Sequence, residues 1–272
     1  MPIKKIITSG CSFTDTKFQD TWPWFLKEKY PNYDYDFLGL ESSGNEIIQK
    51  RATNAVSIAL ETYRPEEILV IAMWSTAERK TFFLDHHQAK DLLDHWRKDN
   101  TEWNVSSQFT NLRAKLTNPV RITKDRPMDI LILEASESEG WYNLHNVNDT
   151  DFGKLYFKEI HNDKASLNTS MENIIFLNMF CEKHNVKIIN TIILGNQLDD
   201  IYNSKHEIVK YLLPDFKKIK FAEPVYDYLK KARDPGLFRE DKVHPNDKGH
   251  TKYLNEVLLP WIEKLYPGLF ST

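Results

Sequence analysis

The sequence predicts an α/β fold in which a doubly wound, mostly parallel sheet carries helices on both faces. Three apolar stretches rich in β-branched residues have the composition of strands buried on both sides: residues 3–8, 67–74 and 186–194. Helical patterns lie between them, so strands and helices alternate along much of the chain. That alternation is typical of a three-layer, flavodoxin-like α/β sandwich.

The N-terminal part of the chain supplies the first three strands. After the first strand, Thr21 and Pro23 provide a cap and a first-turn proline for a short helix. Residues 33–38 are predicted as the second strand. Apolar residues then recur at helical spacing over residues 45–63, and the third strand follows at residues 67–74.

The C-terminal part resumes the same rhythm after an interruption. A helical pattern over residues 170–185 precedes the strand at 186–194, and a final helix is predicted around residues 249–265. Between about 80 and 164 the polar composition suits neither a buried strand nor a long helix. We therefore expect one domain over residues 1–272 with an inserted subdomain at about 80–164.

The composition argues against several classes of protein. The chain has 272 residues, 41% hydrophobic and 28% charged, with a net charge of −3, so we expect a packed core and no nucleic-acid partner. No apolar run reaches the roughly 18 residues of a membrane span, and the N-terminal apolar stretch is shorter than a signal-peptide core of about 7 to 15. We expect a cytoplasmic protein without membrane contact. Cys11 and Cys181 are too few for a disulfide framework.

Two distant segments carry the chemistry. In DKVHPN, Asp241 and His244 are three residues apart, about one turn, so the carboxylate can hold the Nδ1 proton and leave Nε2 to accept a proton from a hydroxyl. Ser12, in TSGCSFT, follows the first strand, and the carboxyl ends of parallel strands share the edge where ligands bind. Alone, Ser12 would be a turn or cap residue; with the other pair it is a candidate nucleophile.

These segments resemble the blocks of the SGNH or GDSL-type serine hydrolases. The resemblance implies Ser12 as nucleophile and oxyanion N–H donor, His244 as general base and acid, and Asp241 as the residue that orients the imidazole. It implies no cofactor. The matched blocks cover about the first 80 and last 40 residues. The motifs G-x-S-F, WP, G-x-N and W-S-x-x-x-R are similar to those of a divergent branch often carried by bacteriophages.

The residues that would bind the oxyanion match the family's pattern only in part. In this family a glycine after the second strand donates its N–H, and Gly44 stands there, although it equally suits a loop position that needs positive φ. An asparagine normally follows the third strand, but this chain reads AMWSTAER. Asn45, Ser75 and Thr76 are the remaining side-chain donors, although Asn45 also suits a helix N-cap. Arg79 is a candidate for binding a substrate carboxylate or phosphate, or for pairing with a neighbouring helix.

Competing interpretations are weaker. Cys11 is an alternative nucleophile, but alternation turns its side chain toward the sheet. An ordinary α/β-hydrolase fits poorly, because Thr14 breaks G-x-S-x-G. The acidic and histidine residues at 85–87 and 94–95 could be drawn as a metal site, yet such a cluster is more typical of a solvated helix face, and we expect no metal. His250 is expected on the surface of the final helix.

The sequence thus predicts a serine esterase that forms an acyl-enzyme on a small-molecule or carbohydrate acyl ester, such as an O-acetyl ester. Trp96, Trp103 and Trp141 in the insertion could form a sugar-stacking platform, although such residues are more often a satellite core. Two alternatives keep the fold. One is an acyltransferase with the same triad, and the other is a catalytically silent binding protein.

Overall fold

The computed structural model describes residues 2–16, 20–40, 43–84, 121–122, 140–144 and 155–270. The strands are, in chain order, β1 (Lys5–Gly10), β2 (Asp34–Gly39), β3 (Ile68–Trp74), β4 (Lys80–Leu84), β5 (Arg121–Ile122), β6 (Gly140–Leu144) and β7 (Lys187–Ile192). The α-helices are α1 (Trp22–Lys29), α2 (Asn45–Ala59), α3 (Asp163–Lys183), α4 (Asn196–Asn203), α5 (Glu207–Phe216), α6 (Val225–Lys231), α7 (Asp247–Tyr253) and α8 (Leu259–Leu265).

The central sheet has the strand order β5-β2-β1-β3-β7, in which β2, β1, β3 and β7 run parallel and β5 pairs antiparallel with β2. The predicted α/β fold is confirmed, and each of the four predicted strands overlaps one of the parallel strands. The chain passes from β1 to β2 on one side and places β3 on the other side of β1. The carboxyl end of β1 therefore lies at a topological switch point, where open α/β sheets bind ligands.

Helices bury both faces of the sheet. Ile6 and Met73 face the core formed with α1, α6, α7 and α8, whereas Ile7 and Trp74 face the core formed with α2, α3, α4 and α5. Successive side chains of a strand point to opposite faces, so a strand covered on both sides is buried at every position and is mostly apolar. This explains the unbroken apolar run of β3, whereas β1 also buries the polar residues Lys5, Thr8 and Ser9.

The described parts of the insertion form strands that its polar composition does not predict. β4 and β6 pair antiparallel, with Lys80 opposite Leu144, and β5 extends the central sheet beyond β2. A strand can form from a polar stretch when a partner strand satisfies its backbone groups. The residues considered for a metal at 85–87 and 94–95, like Trp96 and Trp103, lie outside the described residues. The bounds of the insertion at about 80–164 and a sugar-stacking role for its tryptophans stay predictions.

None of the helices in the described ranges is both long enough and apolar enough to cross a membrane.

Candidate active site

A tight turn after β1 presents Ser12 at the carboxyl edge of the sheet. The Thr14 N–H donates to the Cys11 carbonyl oxygen at 2.8 Å and closes the turn. The turn packs directly on β2, where a Cβ at Gly39 would lie 2.3 Å from the Thr14 carbonyl carbon and oxygen. The side chain of Cys11 is fully buried in the core, as alternation predicts. Of the two neighbouring candidate nucleophiles, Ser12 is the one at the edge.

Ser12, His244 and Asp241 form a continuous hydrogen-bonded chain. Ser12 Oγ lies 3.0 Å from His244 Nε2, and His244 Nδ1 lies 2.7 Å from Asp241 Oδ2. These are the contacts expected from the position of Ser12 after β1 and from the one-turn spacing of the other two residues. The chain brings together side chains 232 positions apart in the sequence.

The surroundings of Asp241 keep its carboxylate ionised. Its Oδ1 accepts hydrogen bonds from the N–H groups of Val243 at 2.8 Å and His244 at 2.9 Å. Partial burial alone would raise the pKa of Asp241, but these two N–H groups and the imidazole of His244 lower it below its ordinary value. An ionised carboxylate only accepts, so Nδ1 of His244 donates to it. Nε2 is then the acceptor for the Ser12 hydroxyl.

The loop that carries His244 is held by the residues around it. Asn246 caps α7, with its Oδ1 accepting from the Gly249 N–H at 3.1 Å, and its Nδ2 donates to the Phe238 carbonyl at 3.1 Å. The Arg239 N–H donates to the His244 carbonyl at 2.9 Å. The asparagine of the DKVHPN segment therefore fixes the position of the histidine that precedes it.

His250 is fully buried, so the expectation that it lies on the surface of the final helix is wrong. Burial, with smaller contributions from the charges of Arg239 and His244, lowers the pKa of His250 to about 3. The imidazole is therefore neutral at ordinary pH. Its burial depends on how α7 packs beneath the loop of His244, which spacing along one helix does not reveal.

Asn45 is neither a helix cap nor exposed at the edge. Gly44 occupies the N-cap position of α2, and Asn45 is the first helical residue and is buried. The Asn45 Oδ1 accepts from the Ser75 N–H at 2.7 Å, and Nδ2 donates to the Ser75 carbonyl at 3.1 Å and to Ser170 Oγ at 2.5 Å. Both ends of the amide are occupied by protein groups. This arrangement disfavours Asn45 as an oxyanion donor and assigns it to holding the segment after β3.

Gln197 holds the same segment from the other side, a contact that sequence reasoning missed. With its amide oriented to complement its neighbours, Nε2 donates to the Ser75 carbonyl at 3.1 Å and Oε1 accepts from the Ala77 N–H at 3.1 Å. Gln197 follows β7, whereas Asn45 follows β2. No local pattern connects these positions, since the contact exists only once β3 lies between β1 and β7.

Ser75 is the expected oxyanion donor whose hydroxyl makes no hydrogen bond to other described groups. Its Oγ is buried and has no hydrogen-bond partner in the described parts of the chain. Met73, two positions earlier, faces the core that contains Phe13, and the Phe13 ring lies 5.1 Å from the His244 ring. Alternation along β3 continued to Ser75 directs its hydroxyl to the same side of the sheet as the imidazole. Thr76 is partly exposed.

Arg79 lies near the start of α2. Its Nη1 donates to the Ser43 carbonyl at 3.3 Å, and it forms no ion pair with a carboxylate in the described ranges. The structure therefore gives no support to its pairing with a neighbouring helix. Among the residues described, no cluster of histidine, cysteine and acidic side chains is arranged to hold a metal ion.

Comparison with known proteins finds likeness at the level of structure but not of sequence. No protein-family model matches the chain, and no curated protein sequence does. The chain is similar to the crystal structure of a member of the lipolytic protein G-D-S-L family from Veillonella parvula DSM 2008, with 11% sequence identity and a TM-score of 0.44 over 97% of this chain and 98% of that chain. A likeness at 11% identity and a TM-score of 0.44 does not indicate a function for this chain.

Proposed function

We propose that the protein is a serine hydrolase that cleaves acyl esters through the Ser12–His244–Asp241 chain. The observation that carries the proposal is the pair of contacts at 3.0 and 2.7 Å that link a hydroxyl, an imidazole and a carboxylate in order. They lie at the switch point of a parallel sheet, on the edge where such folds bind ligands. A nucleophile, a base and a residue that orients the base are the parts that acyl transfer requires.

The proposed reaction has two halves. Ser12 Oγ attacks the ester carbonyl carbon while its proton moves to His244 Nε2, and Asp241 stabilises the imidazolium that forms. Collapse of the tetrahedral intermediate breaks the ester C–O bond, and the imidazolium gives its proton to the departing alcohol. In the second half His244 takes a proton from water, which attacks the acyl-enzyme, and then returns that proton to Ser12 Oγ.

The negative charge of the intermediate needs hydrogen-bond donors. We assign them to the N–H groups of Ser12 and Gly44 and to the hydroxyl of Ser75. The support for Ser75 is its buried, unpartnered Oγ in the described structure and the fixing of its peptide group by Asn45 and Gln197. Donors that are positioned before the reaction are the effective ones, because no reorganisation is needed as charge develops.

Labelling by a fluorophosphonate probe tests the proposal directly. The wild-type protein should be labelled and should hydrolyse p-nitrophenyl acetate, and Ser12→Ala should lose both properties. Cys11→Ala is the matched control, since Cys11 is adjacent but fully buried, and it should still be labelled. Labelling that persists in Ser12→Ala and disappears in Cys11→Ala would show a cysteine enzyme and overturn the proposal.

A further inference from the structure

A polar cleft opens between the N-terminal ends of α2 and α3 and the segment that follows β3, and is called here the α2–α3 cleft. Its volume is about 100 Å³. The residues that matter for its chemistry are Glu46, Arg79, Lys80, Ser166, Thr169 and Asn173, which all line it. None of them belongs to the hydrogen-bonded chain of Ser12, so the cleft is a separate feature of the surface.

The α2–α3 cleft adjoins the proposed oxyanion donors. Asn45, which lines it, directly follows Gly44, and Ala77, which also lines it, lies two residues after Ser75. β1 and β3 are hydrogen-bonded neighbours, and neighbouring strands lie about 4.8 Å apart. Ser12, Asn45 and Ala77 follow β1, β2 and β3, so the cleft lies at the same carboxyl edge of the sheet as Ser12. An ester bound at Ser12 and extended along this edge would bring its alcohol side toward the cleft.

The charge of the cleft is positive. In the part of the chain that the structure describes, neither Arg79 nor Lys80 forms an ion pair. Glu46 is the acidic residue of the lining, and Lys50 compensates its charge at 2.8 Å. The N-terminal amides of α2, which runs for 15 residues, add positive potential at the same place. An anion is the ligand that these charges favour.

The lining and the size of the cleft further restrict the chemical class of ligand that fits it. Ser166 and Thr169 contribute hydroxyl groups, and Asn173 contributes an amide whose Nδ2 already donates to the Thr169 carbonyl. One water occupies about 10 to 15 Å³ of a cavity measured in the same way, so a cleft of about 100 Å³ has room for several polar atoms. A long acyl chain would need a mostly apolar lining, whereas Tyr156, Ile160 and two alanines are the only apolar residues among the described residues that line the cleft. Hydroxyl and amide groups beside two cations suit a hydroxylated anion.

We propose that the α2–α3 cleft binds an anionic group, a carboxylate or a phosphate, carried by a hydroxylated, sugar-like alcohol portion of the substrate. Arg79 offers a planar fork of N–H donors that matches either anion, and Lys80 adds a point charge. The statement that this alcohol is the leaving group of an ester rests on the proposed function. Binding of the anion itself does not, and it can be measured without catalysis.

Calorimetry at low ionic strength tests the binding. The probes are glucuronate, glucose 6-phosphate, glucose and inorganic phosphate, titrated into the whole chain. We expect glucuronate or glucose 6-phosphate to bind at least about tenfold more tightly than glucose, as for one charge-assisted hydrogen bond. Whichever acidic sugar binds better identifies the anion. Equal affinities for the charged and neutral sugars, or tight binding of inorganic phosphate alone, would overturn the proposal.

Charge variants link the affinity to the cleft. Arg79→Gln and Lys80→Gln should each weaken binding of the preferred acidic sugar by about tenfold. Lys80→Gln is the cleaner change, because Arg79 also bonds the Ser43 carbonyl. Arg233→Gln alters an exposed arginine outside the cleft and should leave the affinity unchanged. If Arg233→Gln weakens binding as much as the cleft variants do, the cleft is not the site.

The two proposals fail in different ways. A wild-type protein that binds the acidic sugar but is not labelled by a fluorophosphonate contradicts the serine hydrolase and leaves the cleft proposal standing. A protein labelled at Ser12 that shows no preference for a charged sugar contradicts the cleft proposal alone.

Discussion

Replacing Asn45 by alanine should destabilise the protein well beyond the loss of a helix cap. The Asn45 amide makes three buried hydrogen bonds, two to the peptide groups of Ser75 and one to Ser170. In the variant, Gln197 still donates a hydrogen bond to the Ser75 carbonyl, but the Ser75 N–H loses its acceptor. An orphaned buried donor costs about 1 to 3 kcal/mol, and each lost bond about 0.5 to 1.5 kcal/mol. We expect a total loss of about 2 to 4 kcal/mol.

Urea and thermal unfolding measure this loss. For a chain of this size 1 kcal/mol corresponds to roughly 2 to 4 °C, so the melting temperature of Asn45→Ala should fall by roughly 4 to 16 °C. Asn255→Ala is the matched control, since Asn255 is an exposed asparagine between α7 and α8 whose hydrogen bond from Lys29 is also exposed, and its change should be within about 0.5 kcal/mol. A variant of Asn45 with nearly wild-type stability and a hundredfold lower kcat would refute the reasoning and restore Asn45 as an oxyanion donor.

Three further predictions follow from the site. Ser75→Ala should lower kcat by about 10²-fold to 10³-fold with little change in KM or stability, because an unpartnered buried hydroxyl is removed; an unchanged kcat excludes Ser75 as a donor. Gly39→Ala should abolish fluorophosphonate labelling, since the added Cβ displaces the Thr14 backbone; retained labelling contradicts the close packing. The folded pKa of Asp241 is lowered, so its contribution to stability is complete above about pH 4 and is lost only as the pH falls through that lowered value. Asp241→Asn should remove this acid-range dependence in unfolding measurements.

The fold was predictable because its strands and helices have strong local patterns. β3 is a continuous apolar run and β1 is buried at every position, and strands buried on both faces are mostly apolar. The link between Ser12 and His244 was predictable for a different reason. Parallel strands place their carboxyl ends at one edge, and the spacing between Asp241 and His244 matches one turn.

The contacts that sequence reasoning missed all depend on packing between distant segments. The interaction of Asn45 with Ser75 requires α2 to begin beside the end of β3. From sequence alone, the statistical preference of asparagine predicts only a helix N-cap at this position. His250 is buried because α7 packs under a loop, whereas histidine itself is intermediate in its preference for the interior. β6 needs β4 as its partner. None of these facts is encoded in a window of neighbouring residues.

The separation of Ser12 and His244 along the chain has a consequence for how activity arises during synthesis. The two side chains meet across 232 positions, and the parallel strands β2, β3 and β7 lie between them in the sequence. A nascent chain that has completed β1, β2 and β3 already contains Ser12 but not the imidazole that would activate it. Contacts of such long range form late and slowly, because the intervening chain must be ordered first. The proposed hydrolytic activity would thus require the chain to be synthesised and folded past His244, so a shorter nascent chain would lack the complete Ser12–His244–Asp241 chain.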